Sequence, residues 1–123
     1  MGRSGSRRSV RVGHLLREEL GQALGRDLGD PRLRFVSVTA VEVTDDLRHA
    51  RVFVTMLGEE SERESSLEAL ERATPLLRAL LGRHLELRRI PELEFRYDTS
   101  LDRGFRIQRI LQELAGDEDG DDR

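Results

Sequence analysis

Cysteine is absent from the 123-residue chain. Disulfides, thiolate zinc sites and cysteine nucleophiles are excluded together, and a cytoplasmic protein is expected rather than a small secreted one. Lysine is absent too, since all 21 basic residues are arginine. Codon or genome bias explains this more readily than selection for forked phosphate contacts. Aromatic rings are few: Phe35, Phe53, Phe95, Tyr97 and Phe105 leave little for stacking on bases. Apolar runs fall far short of a membrane span, and the arginine-rich start lacks the apolar stretch of a secretory signal. His14, His49 and His84 are scattered without metal-ligand spacing, and no P-loop, dinucleotide fingerprint or nucleophile elbow occurs. Asp45-Asp46 reads as turn acids and Asp98 with Ser100 as the end of a strand, so no catalytic residue, metal or cofactor is expected.

What is present is positive charge in two segments. The net charge of -3 conceals it, because residues 116–123 alone contribute -4. Residues 1–17 hold five arginines and no acid, and residues 72–109 hold nine arginines against five acids. Two basic stretches in a mildly acidic protein fit a polyanionic partner better than the total suggests.

The length supports one core. Residues 1–8 read as a flexible basic arm, 9–115 as the domain and 116–123 as a disordered acidic tail. Val12, Leu15, Leu16, Leu20, Ala23, Leu24 and Leu28 form a helical stripe, with Ser9 as N-cap and Gly29-Asp30-Pro31 as the stop. Arg34 to Thr44 reads as a strand whose valines change phase, which predicts a bulge at Thr39-Ala40. A turn at Thr44-Asp45-Asp46 leads into a second strand, Arg48 to Leu57, closing an antiparallel hairpin. Ser61 and Glu64 form a capping-box pattern for the next helix. Ala73-Thr74-Pro75 then predicts an inter-helix kink, because proline disfavours a helix interior but suits a helix start. A second helix presents Leu76, Leu77, Leu80, Leu81 and a packed His84 on one face. After Arg88-Arg89-Ile90-Pro91, Leu93, Phe95 and Tyr97 alternate as a third strand, parallel to the second. Ile107, Ile110, Leu111 and Leu114 give a short last helix. The fold class is α+β, ordered α-β-β-α-α-β, with a three-stranded mixed sheet packed on helices.

That order resembles the type II KH domain, and several stretches resemble one family within it, the bacterial ribosome-binding factor A. The matching residues are Arg8 to Val12, Asp30-Pro31-Arg32, Val41 to Leu47, Ala50 to Val54, Leu87-Arg88, Pro91 to Phe95 and Asp98-Thr99-Ser100. The resemblance implies a non-enzymatic, cofactor-free, cytoplasmic factor, a monomer by default. Such a factor binds the immature small (30S) ribosomal subunit and its 16S rRNA, assists rRNA processing and acts in cold adaptation. The family replaces the usual GXXG loop with an Ala-x-Gly kink; here Ala73 matches but Pro75 stands at the glycine position. One amide donor is lost there, so arginine side chains must supply more of the attraction. Arg7, Arg8, Arg11 and Arg17 at the front, with Arg72, Arg78, Arg83, Arg88 and Arg89 around and after the kink, are the expected RNA-binding residues. Two other classes stand beside this reading. One is a generic RNA-binding or protein-docking module using the leucine-rich helix face. The other is a small α/β-sandwich hydrolase.

Overall fold

The computed structural model describes residues 7–33 and 35–99. The expected last helix around residues 107–114, the acidic tail 116–123 and the residues before Arg7 lie outside the described residues. Helix α1 spans Arg7–Gln22. Arg7 and Arg8, expected in a flexible arm, already belong to it. Ser9 is therefore not an N-cap but a buried helical residue, with Oγ 3.4 Å from Asp45 Oδ1. Val12, Leu16 and Leu20 are buried, and the stripe continues through a π turn at Ala23–Asp27. Gly29, at φ +62°, ends the run as the sequence predicts. Gly13 lets α1 approach the sheet closely, since a Cβ there would stand 3.0 Å from the Val41 carbonyl oxygen.

Asp30-Pro31-Arg32 opens a 3-10 turn, Pro31–Leu33. Asp30 accepts hydrogen bonds from the Arg32 guanidinium at 2.9 Å and its amide at 3.0 Å, which hold the carboxyl below the usual carboxylate range. Strands β1 (Ser37–Val43) and β2 (His49–Thr55) pair antiparallel. Register slips between Val38 and Ala40, where the bulge was expected. The bulged Thr39 donates from Oγ1 to Asp98 Oδ2 at 2.5 Å, so the fully buried Asp98 at the end of the last strand ties that strand to the bulge. Strand β3 (Glu92–Tyr97) runs parallel to β2, in the order β1-β2-β3.

Between β2 and β3 lies α2, Glu60–His84. Here two expectations are corrected. The N-cap is Glu59, not Ser61: the Glu59 amide donates to Glu62 Oε1 at 2.8 Å, and the reciprocal bond completes the box. Gly58 before it has φ +132°, and any Cβ would collide with the Glu62 side chain. Nor does Ala73-Thr74-Pro75 separate two helices; one helical run carries Pro75 inside it. Thr74 is not a cap, and its Oγ1 donates back to the Leu70 carbonyl at 2.9 Å. The proline costs the ladder the bond to Glu71 and crowds that carbonyl. Its ring is solvent-exposed, while Leu70, Leu77 and Leu81 keep a single buried phase across it.

The α1 and α2 leucines share one core with Val43, Ala50, Val52 and Val54, so both helices cover one face of the sheet. Each fully buried leucine contributes about 1.5–3 kcal/mol to that packing. The leucine-rich face of α2 is thus already occupied, leaving Leu76 exposed. His84, expected to pack, is exposed instead, with Nδ1 3.1 Å from Glu19 Oε1. The α+β class, the mixed sheet and the parallel return of β3 match the sequence reading.

Candidate nucleic-acid interface

On α1, positions 8, 11 and 15 form a second stripe beside the buried one, carrying Arg8, Arg11 and Leu15. It faces the β1–β2 turn and the loop after α2. The turn is fixed by its own polar groups: Asp46 Oδ1 accepts from the Thr44 hydroxyl at 2.6 Å and from the Arg48 amide at 3.0 Å. The Thr44 bond first, then the Arg48 amide, lowers the Asp46 pKa, so the carboxylate is charged at neutral pH. Leu47 adopts φ +62° to complete the turn, and Arg48 follows it at the entry to β2. The loop after α2 is pinned by Arg78, whose guanidinium donates to the carbonyls of Ile90 at 2.6 Å and Pro91 at 3.1 Å. Arg88 and Arg89 sit on that anchored loop.

These three elements enclose a groove of about 620 Å³. Arg8, Arg11, Arg48, Arg88 and Arg89 line it, with Asp45, Asp46 and Glu86 as the acids and Val12, Leu15, Leu47 and Leu87 as apolar surface. Among the described residues, no hydrogen bond or ion pair engages those five guanidinium groups. Arg89 and Arg48 continue into a smaller depression that also reaches Arg78. The arginines therefore form a strip rather than scattered points.

Of the nine expected arginines, the fold brings together Arg8, Arg11, Arg88 and Arg89. Arg7 is exposed at the start of α1. Arg17 lies along α1 in a separate shallow depression with His14 and Val38. Arg72 lies near enough to Asp30 to help lower its pKa. Arg78 spends its guanidinium on backbone carbonyls, and Arg83 is exposed in the last turn of α2. Ala73, Thr74 and Pro75 line none of these depressions. Arg48 is the contributor that sequence reasoning missed. Its signal was available, an arginine directly after the Asp45-Asp46 turn, but its charge is cancelled in any running sum.

A second depression, about 650 Å³, lies on the other side of the same turn. It is lined by Glu42, Asp45, Asp46, Glu92 and Glu94 against His49 and Arg51. Arginines on this open face of the sheet are paired: Arg96 meets Glu94 at 2.8 Å, and Arg51 approaches it at 3.7 Å. The Arg96 hydrogen bond is the main cause lowering the Glu94 pKa. No group of three or more metal-ligating side chains occurs among the described residues. Nor is any described helix long and apolar enough to cross a membrane.

Comparison with known proteins bears on the family and the fold. The family model for ribosome-binding factor A matches residues 8–111. Ribosome-binding factor A of Halothermothrix orenii is 45% identical over 114 residues, covering 93% of each chain. The crystal structure of ribosome-binding factor A from Thermus thermophilus is similar at TM-score 0.64 and 35% identity, over 72% of this chain and 94% of that one. A homology model of the Thermus thermophilus factor, fitted into a cryo-EM map of its complex with the 30S subunit, gives TM-score 0.61 at 35% identity, over 72% and 92%.

Proposed function

Because the chain belongs to the ribosome-binding factor A family, we propose that it binds the immature 30S subunit through 16S rRNA, with the groove arginines carrying the contact. The observation behind this is the convergence of Arg8, Arg11, Arg48, Arg88 and Arg89, whose guanidinium groups make no hydrogen bond or ion pair among the described residues. Unpaired guanidinium groups bind phosphates without first breaking an internal ion pair, and each contact releases counterions. Phosphate contacts fix position without reading sequence, so recognition comes from the shape of folded rRNA. By preferring one conformation of the immature subunit, the factor shifts its population toward that state. On this reading it acts in the cytoplasm as a monomer, without enzymatic turnover. Processing near the 5′ end of 16S rRNA and growth in the cold are the steps it assists.

The test is complementation in cells lacking the native factor. Wild-type protein should co-sediment with immature 30S particles and restore mature 16S 5′ ends and growth in the cold. The variant Arg88→Glu/Arg89→Glu should do neither while remaining folded. Equal binding to unrelated RNAs, or full rescue by that variant, would overturn the assignment.

A further inference from the structure

Phosphates alone do not require the floor of the basic groove. Between the α1 arginines and those of the 86–89 loop, Leu15, Leu47 and Leu87 present apolar surface, with the buried Val12 behind them. Leu15 is 39% exposed on a helix that has a separate, fully formed core face, so it is not needed for that packing. A groove serving only the backbone of a duplex would gain nothing from desolvating leucines.

We propose that this groove seats one unpaired nucleotide of the RNA. The base lies on Leu15, Leu47 and Leu87, and the phosphates on its two sides are held by Arg8 with Arg11 and by Arg88 with Arg89. The inference rests on the RNA-binding reading above and names the form of RNA that the site takes. A base splayed out of a helix offers an apolar face, which aliphatic side chains cover as aromatic ones do. The groove, at about 620 Å³, is within the range of pockets that hold small ligands. Its acids do not oppose the phosphates equally. Asp45 and Asp46 are held at the turn end of the groove by the Ser9 hydroxyl, the Thr44 hydroxyl and the Arg48 amide, and five arginines outnumber the three acids. Glu86 stands at the wall as an acceptor for a base amine. Among the described residues, none of the aromatics Phe35, Phe53, Phe95 and Tyr97 lines the groove, which accounts for stacking on leucine.

The experiment is fluorescence anisotropy of the full chain with three labelled RNA hairpins at one moderate salt concentration. One stem is fully paired, one carries a single bulged adenosine, and one carries an abasic residue at the bulge. The bulged stem should bind about fivefold or more tighter than the other two. Leu15→Ser should bring affinity for the bulged stem down to that for the abasic stem, with circular dichroism confirming the fold. Equal binding of all three stems would overturn the nucleotide seat while sparing the RNA-binding reading. Absence of binding to any stem even at low salt would overturn both. A leucine-containing acidic peptide that displaces the bulged stem from wild-type protein but binds Leu15→Ser poorly, with no preference among the stems, would assign the groove to a protein and overturn the proposal.

Discussion

Two depressions of nearly equal size flank the β1–β2 turn and share Asp45 and Asp46, yet they carry opposite charge. On one side, five arginines face three acids; on the other, five acids face Arg51 and His49. Volume does not separate them. Pairing does. Arg51 and Arg96 on the open sheet face lie against Glu94, Arg32 lies against Asp30, and Arg78 holds backbone carbonyls. The groove arginines have no such engagement among the described residues. An arginine count along the chain therefore overstates the binding surface, because Arg32, Arg51, Arg63, Arg78 and Arg96 are occupied in holding the fold or in exposed pairs. On the proposed reading, selectivity for a polyanion comes from guanidinium groups that outnumber the acids around them and that no carboxylate holds in an ion pair.

The comparison breaks most sharply under charge reversal. Arg88→Glu/Arg89→Glu should weaken RNA binding by at least about tenfold at physiological salt with the fold intact. Reversal of Arg51 and Arg96 should leave affinity within about twofold in the same titration, because those groups are exposed and compensated. A comparable loss from both pairs would erase the distinction between the two faces. Next in size is Arg78→Ala, which removes two charge-assisted bonds to the loop carrying the groove. It should cost about 1.5–3 kcal/mol of stability in denaturant titration, and affinity should fall as the loop loosens. Lost affinity without lost stability would make Arg78 a contact residue instead.

A smaller effect concerns the wall that the two depressions share. Asp46 has a folded-state pKa below its ordinary value. Its stabilising contribution is therefore complete above the ordinary carboxylate range and disappears as pH falls through the lower folded value. Asp46→Asn should lower the melting temperature modestly at neutral pH, and the gap from wild type should close on acidification. A gap that does not change with pH would remove the Asp46 carboxylate from this role.

Much of the fold was legible because each level of the sequence agreed. Valine phase change located the bulge, glycine at the end of the α1 stripe located its stop, and alternating Leu93, Phe95 and Tyr97 located β3. The misses have specific causes. Pro75 carries a strong local preference for a helix start, but Leu70, Leu77 and Leu81 stay in one phase through it. Burying that continuous face outweighs a cost of about 3 kcal/mol. Ser61 looked like the cap because serine is a common one; Glu59 takes the position because Gly58 supplies the positive-φ entry to it. His84 was placed by extending the leucine spacing one turn too far, to where α2 runs out past the core. For the site, the two basic segments were visible in the sequence, but not the place where they meet. Which arginines meet depended on the α1 side stripe and the β1–β2 turn, and on Arg78 being drawn inward by carbonyls. No spacing rule encodes those contacts.

The central claim is that unpaired arginines in the groove, not arginine content, set affinity for RNA. It is tested most directly by the slope of log affinity against log salt for wild type, for a variant with Arg8, Arg11, Arg88 and Arg89 changed to alanine, and for an Arg51→Ala/Arg96→Ala control. The account predicts that the groove variant loses roughly three units of slope while the control matches wild type. A groove variant with the wild-type slope, or a control that falls as far, would contradict it.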